Sequence, residues 1–149
     1  MTLFEKINED LLSAMKAREK VRLEALRNLK KLMLEARAAK GAGTELTDEE
    51  SLKLIQKLVK QGKDSAELYQ QQNRNDLADE ELAQIAALSD YLPKPLTPEE
   101  LKAAIEAIIA KTGATSIKDM GRVMGAASGE LAGKADGKDI AAMVRTLLA

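Results

Sequence analysis

The chain contains no cysteine, no histidine and no tryptophan. The absence of cysteine excludes disulfides, thiolate nucleophiles and zinc–thiolate sites. The absence of histidine removes the side chain that most often serves as a general base near neutral pH and as a metal ligand. We therefore expect no catalytic residue, no metal site and no small-molecule cofactor.

Aromatic residues are scarce, since Phe4, Tyr69 and Tyr91 are the only ones in 149 residues. Aromatic side chains are the platforms on which single-stranded bases stack. Their scarcity argues against stacking on unpaired bases and, for an RNA ligand, favours recognition of a folded RNA by its shape and backbone.

The prolines also mark a boundary, because all three lie at positions 93, 95 and 98. Elsewhere Ala, Leu, Glu, Lys and Gln dominate, and these strong helix formers predict an all-α protein. A helix does not run through three such closely spaced prolines. We predict an N-terminal bundle of about four helices over residues 1–92, a stiff proline-rich linker over 93–98, and a small C-terminal tail domain of three or more helices over 99–149.

Capping residues predict where the helices begin. Thr2 and Thr47 are each followed three residues later by glutamate, which is a capping-box pattern. We expect helices to begin at Thr2, Thr47, Asn75, Thr97 and Asp136. Gly62 interrupts the apolar pattern of its helix, and it either permits close packing of two helices or marks a bend.

Charge is unevenly distributed along a chain whose net charge is −1. Residues 1–40 hold ten Lys or Arg against six Asp or Glu, and residues 63–92 hold two against seven. These two segments either serve recognition or face each other within the bundle. The helix before Gly41 exposes a row of cations: Arg22, Arg27, Lys30, Lys31, Arg37 and Lys40. We favour a solvated face for this row over a strip that faces RNA or a protein partner.

The last third of the chain is rich in glycine, since six of the nine glycines lie within residues 113–138. Glycine is unfavourable inside helices but useful where the backbone turns or approaches a partner. This segment is therefore either a contact surface or a series of helix ends, and the spacing favours neither. Four apolar residues at helical spacing are assigned to the core: Ile117, Met120, Val123 and Met124.

Two signatures in this region carry a resemblance. The segments SIKDMGRVMG and GKADGK are similar to the GatB/YqeY family. The upstream segments VRLEALRNLKK, QGKDSAELYQQQNRNDLADEE and LSDYLPKPLTPEEL resemble the same family in the same order, so the resemblance covers essentially the whole chain. Its members are small stand-alone proteins that resemble the helical and tail regions at the C-terminal end of GatB, a component of the tRNA-dependent amidotransferase.

The resemblance implies a non-catalytic tRNA-binding or accessory module, because the matching tail of GatB contacts tRNA. Carried over to this chain, it makes Lys134 and Lys138 the expected phosphate contacts. The full set of expected RNA-binding residues is Lys118, Arg122, Gly133, Lys134, Gly137 and Lys138. The two glycines in this set would let the backbone approach the RNA closely.

Two alternatives stay open. One is a helical protein-interaction adaptor that docks on an amidotransferase or a synthetase. The other is a component of a carbon–nitrogen ligase with glutamine as amido-N-donor, an activity implied by the family's label. The six serines have no histidine or Gly-Ser-rich loop to activate them. The acidic N-terminus and the lack of a long apolar run predict a cytoplasmic protein without a membrane segment.

Overall fold

The computed structural model describes all 149 residues, and its secondary structure confirms the all-α prediction. It contains seven α-helices and one short 3-10 helix at Ile117–Asp119. The α-helices are α1 (Leu3–Ala17), α2 (Lys20–Lys40), α3 (Asp48–Gln71), α4 (Asn75–Ser89), α5 (Pro98–Thr112), α6 (Met120–Glu130) and α7 (Gly137–Leu148). The chain divides into two compact units, Met1–Leu92 and Pro93–Ala149. None of the helices combines the length and apolar composition needed to cross a membrane.

Reciprocal capping boxes begin three of the α-helices, two of them at the predicted boxes of Thr2 and Thr47 and the third at the predicted helix start of Thr97. At α1 the Thr2 hydroxyl accepts the N–H of Glu5 at 3.2 Å, and the Glu5 carboxylate accepts the N–H of Thr2 at 3.0 Å. The same arrangement begins α3 at Thr47 and α5 at Thr97. Each box satisfies N–H groups that a helix start otherwise leaves without partners.

The start of α4 differs from the prediction by one residue. Arg74, not Asn75, is the N-cap, and Asn75 is the first residue of the helix. Asn73 adopts a left-handed backbone with φ of 59°, and the Arg74 N–H donates to the Tyr69 carbonyl at 2.8 Å. This backbone turn reverses the chain and fixes the start of α4 without a side-chain cap.

Close packing between α3 and α4 explains Gly62. The helix α3 continues through this position. A Cβ atom added at Gly62 would lie 2.8 Å from Ile85 Cγ1 and 3.0 Å from Ile85 Cδ1. Of the two interpretations of this glycine, the structure therefore supports the close approach of two helices.

The N-terminal unit has one apolar core, to which all four helices contribute. Its buried members are Ile7, Leu11, Ala14, Ala25, Leu26, Leu29, Met33, Leu46, Ile55, Val59, Ile85 and Leu88. Beside it, the Tyr91 hydroxyl donates to Asp10 Oδ2 at 2.6 Å. Burial and then this hydrogen bond raise the pKa of Tyr91 well above its ordinary value. The contact joins the residues after α4 to α1.

The C-terminal unit has its own apolar core. Its buried members are Leu101, Ile105, Ile108, Ala114, Val123, Ala127, Leu131, Ile140, Val144 and Leu148. Leu96, from the proline-rich segment, packs against this core. Its N–H donates to the Lys134 carbonyl at 3.0 Å. The segment that follows Leu92 is thus held to the connection between α6 and α7.

Candidate nucleic-acid interface

The six expected RNA-binding residues fall into two groups. Lys118 lies in the 3-10 helix and Arg122 in the first turn of α6. Gly133, Lys134, Gly137 and Lys138 lie between the end of α6 and the first turn of α7. Since α6 has 11 residues, its ends are about 16 Å apart at 1.5 Å per residue. The structure therefore does not gather all six residues into one cluster.

In the first group, Arg122 is engaged within the chain and Lys118 is not. The Arg122 guanidinium donates to Asp119 Oδ1 at 3.1 Å. Asp119 also accepts the backbone N–H groups of Thr115 at 3.0 Å and Ser116 at 3.3 Å. These backbone hydrogen bonds, with the Arg122 charge as a smaller contribution, lower the pKa of Asp119. Lys118 is exposed and forms no ion pair, so it is the available cation of this group.

In the second group, the backbone fixes the position of Lys134. The preceding Gly133 is buried and has a φ of 77°, a left-handed conformation that favours glycine. The Lys134 N–H donates to the Leu131 carbonyl at 2.9 Å, and its own carbonyl accepts the N–H of Leu96. The exposed Lys134 side chain therefore extends from a backbone that is held on both sides. The conformation of Gly133 already explains this glycine without any ligand.

The start of α7 presents Gly137 and Lys138. The Asp136 carboxylate accepts the N–H of Lys138 at 3.3 Å, so Asp136 caps the helix as predicted. A phosphate at this helix start would therefore be bound chiefly by the exposed Lys138 side chain. A Cβ added at Gly137 would meet no atom within 4 Å. Nothing inside the chain requires glycine there, which leaves room for a group from outside to approach.

A bare face of α6 lies next to the first group and was not among the expected site residues. Gly121 and Gly125 are exposed, have no positive φ, and would offer open space to a Cβ atom. Gly125, in the interior of α6, weakens the helix by about 1 kcal/mol relative to alanine without any packing that requires it. The sequence signal for this face is the recurrence of glycine at every fourth residue from Gly121 to Gly137.

The core assignment of Ile117 is wrong, because 47% of its surface is exposed. It belongs to the 3-10 helix before α6, where the spacing of an α-helix does not apply. Val123 is buried, and Met120 and Met124 pack against the core, so the other three assignments are confirmed. Ile117 instead adds an exposed apolar side chain next to Lys118.

A family model described as YqeY-like protein matches residues 4–148. The chain belongs to the YqeY-like family. The match extends over both units and confirms the resemblance drawn from the sequence motifs. The YqeY-like family is related to the C-terminal region of GatB, so this chain is a GatB-related helical protein. A search of curated proteins finds no match to the chain.

The exposed groups of this YqeY-like chain suit the binding of anions. Lysine ammonium groups provide positive charge, and the bare face of α6 lets a ligand approach the backbone. No group of three or more acidic side chains is arranged to hold a metal ion. The candidate interface is therefore described by its cations and glycines.

Proposed function

We propose that this YqeY-like protein is a non-catalytic accessory module whose C-terminal unit binds the phosphate backbone of folded RNA, with tRNA as the ligand class. One observation carries the proposal. Lys118, Lys134 and Lys138 are exposed and form no ion pair within the chain, whereas Lys111 pairs with Glu130 and Arg122 with Asp119. Unpaired lysines are available to neutralise phosphates and release counterions.

The separation of the two groups favours an extended polyanion over a small anion. Groups at both ends of α6 are about 16 Å apart at 1.5 Å per residue, and a single phosphate does not span that distance. A nucleic-acid backbone presents phosphates repeatedly along its length. The exposed backbone at Gly121 and Gly125 extends from the first group along α6 and lets a sugar or phosphate come close.

The low aromatic content and the family relationship narrow the class of RNA. With three aromatic residues in the chain, stacking of unpaired bases contributes little. Recognition then depends on backbone and shape, which suits a folded RNA. The relationship to a component of a tRNA-dependent enzyme supports tRNA within that class.

The test is binding of labelled tRNA by fluorescence anisotropy at several salt concentrations. Replacing Lys134 and Lys138 together by alanine removes two of the proposed phosphate contacts. We expect weaker binding and a salt slope reduced by about two, since each contact contributes roughly one. The matched control is Lys94→Ala with Lys102→Ala, which removes two exposed lysines outside both groups. Equal slopes for the wild type and the Lys134/Lys138 variant would refute the proposed phosphate contacts.

A protein-interaction adaptor is the second candidate, and the exposed Ile117 favours it. An apolar side chain beside a bare helix face is a surface on which another helix packs closely. If tRNA does not bind even at low salt, the adaptor becomes the better proposal, with an amidotransferase or a synthetase as the expected partner. Ile117→Ser should then reduce capture of that partner, whereas Lys102→Ser should not.

A further inference from the structure

Lys134 differs from the other two lysines proposed to bind phosphate, because no helix fixes its backbone. Lys118 lies in the 3-10 helix and Lys138 in the first turn of α7. Lys134 lies in the connection between the end of α6 and the start of α7. Its position therefore depends on the hydrogen bonds that this connection makes with its surroundings.

Two backbone hydrogen bonds hold Lys134, one on each side of its Cα atom. Its N–H donates to the Leu131 carbonyl at 2.9 Å, and its carbonyl accepts the N–H of Leu96 at 3.0 Å. Leu131 is only 6% exposed and belongs to the C-terminal core. The first bond thus joins Lys134 to the core through a near neighbour, whereas the second depends on a residue far away in the sequence.

The residue that supplies the second bond ends a short proline-rich segment. We call residues 93–96 the proline strap, and they belong to the C-terminal unit. Pro93 and Pro95 have a fixed φ, and each restricts the residue before it to an extended backbone. The strap is therefore restricted before it docks, and it loses less conformational entropy on docking than an ordinary loop does.

Leu96 attaches the strap by both its side chain and its backbone. The side chain is half-buried and packs against the C-terminal core. The next residue, Thr97, caps α5, and its N–H donates to Glu100 Oε1 at 3.2 Å. The start of a helix therefore fixes Leu96 on its C-terminal side. The Leu96 N–H thus reaches the Lys134 carbonyl from a rigid position.

We propose that the proline strap positions Lys134 for RNA, so that docking of Leu96 on the α6–α7 connection and binding of an RNA phosphate at Lys134 strengthen each other. This inference rests on the proposed function, because it concerns the same lysine. A docked strap fixes the Lys134 backbone before RNA arrives, so that binding does not have to order it. The coupling is reciprocal, since bound RNA then stabilises the docked strap by the same factor. Leu96 is a positioning residue that acts through Lys134.

The first test is hydrogen exchange of the Leu96 amide, measured by NMR in the full chain with and without saturating tRNA. This amide should be protected in the free protein, because it donates to Lys134. We expect tRNA to slow its exchange by a further factor of about five to thirty, which corresponds to ordering the backbone of one residue. Lys134→Ala keeps the backbone carbonyl, so it should keep the protection in the free protein but lose the effect of tRNA. An unchanged exchange rate in the wild-type complex would overturn the proposal.

The second test is the affinity of Leu96→Ala for tRNA, measured by fluorescence anisotropy. This variant weakens docking of the strap but keeps every proposed phosphate contact, so we expect a several-fold loss of affinity. The matched control is Leu147→Ala, since Leu147 is also a half-buried leucine packed against the C-terminal core. It lies about 15 Å along α7 from the start of that helix and should keep the wild-type affinity. Equal losses in the two variants would mean that Leu96 only stabilises the unit, and the proposal would be wrong.

A double-mutant cycle separates positioning from a purely structural role. In a Lys134→Ala background the strap has no lysine side chain to position, so Leu96→Ala should cause no further loss of affinity. In a Lys138→Ala background Lys134 is still present, and Leu96→Ala should cause its full loss. The same loss in all three backgrounds would contradict the positioning role of Leu96.

These measurements distinguish failure of this inference from failure of the proposed function. No binding of tRNA by the wild-type chain at low salt would refute both. Normal binding by the wild type, together with an unchanged affinity of Leu96→Ala, would refute only the positioning of Lys134 by the strap. If circular dichroism shows that Leu96→Ala does not fold, the exchange of the Leu96 amide in the wild-type chain still decides the question.

Discussion

Two identical substitutions in helix interiors should have opposite effects on stability, and the neighbours of each glycine decide the sign. Gly62 lies in α3 and Gly125 in α6, and neither has a positive φ. Replacing glycine by alanine inside a helix stabilises it by up to about 1 kcal/mol when the new methyl group has room. At Gly125 a Cβ would meet no atom within 4 Å, so we expect that gain in full.

At Gly62 the new methyl group would collide with Ile85. The nearest atom, Ile85 Cγ1, is 2.8 Å from the added Cβ. To reach an ordinary contact distance that atom must move by roughly 0.6 Å. Ile85 is only 8% exposed, so its side chain cannot turn into solvent. Overpacking of this kind costs about 1–3 kcal/mol, which exceeds or cancels the gain in helix propensity. We expect Gly62→Ala to lower the free energy of unfolding by up to about 2 kcal/mol.

Urea denaturation followed by circular dichroism, with hydrogen exchange to distinguish the two units, measures both effects. Ile85→Ala removes the colliding atoms, so in that background Gly62→Ala should gain about 1 kcal/mol. The milder Ile85→Val removes only Cδ1 and should relieve part of the collision. If Gly62→Ala alone stabilises the protein as much as Gly125→Ala does, the inferred close packing of α3 on α4 is wrong.

Two further predictions concern hydrogen bonds to carboxylates. Tyr91→Phe removes the O–H that donates to Asp10 at 2.6 Å, and we expect the free energy of unfolding, measured in urea, to fall by about 1 kcal/mol. Asp10→Ala removes the acceptor, so an equal loss from Tyr91→Phe in that background would show that the pair does not interact. Backbone hydrogen bonds hold the pKa of Asp119 below its ordinary value of 3.8 in the folded protein. The ionised carboxylate therefore stabilises the folded state fully above that pH, and this stabilisation is lost as the pH falls through the lower folded-state pKa. At pH values below about 4, the C-terminal unit should therefore unfold at a lower urea concentration than at neutral pH. An equal decrease of this midpoint with pH in the Asp119→Asn variant would contradict this cause.

The candidate interface was only partly predictable. The sequence suggests its candidate cations, because lysines beside glycines are visible without coordinates, and their contact with RNA stays a prediction. Which cations are available depends on neighbours distant in the chain or across a turn. Arg122 is engaged by Asp119, whereas Lys118 is not. The role of Gly133 also became clear from its positive φ, which accounts for this glycine by conformation alone.

Local rules determined where most helices begin. The caps at Thr2, Thr47, Thr97 and Asp136 were correct because a cap involves residues within three positions of each other. The start of α4 was missed because a left-handed Asn73 and a backbone hydrogen bond set it, and no side-chain cap takes part. Ile117 was misplaced because a 3-10 turn interrupts the α-helical spacing on which the core assignment depended.

The sequence by itself determined that the chain is helical, where most helices begin, and which family it resembles, since these follow from composition, neighbouring residues and motifs. The tertiary structure decided why Gly62 is a glycine, that Lys111 pairs with Glu130, and that no ion pair joins the cations of residues 1–40 to the acidic segment 63–92. These properties depend on side chains that are far apart in sequence and are brought together, or kept apart, by packing of the core. Periodicity shows which side of a helix is buried, but only the fold shows what lies against it.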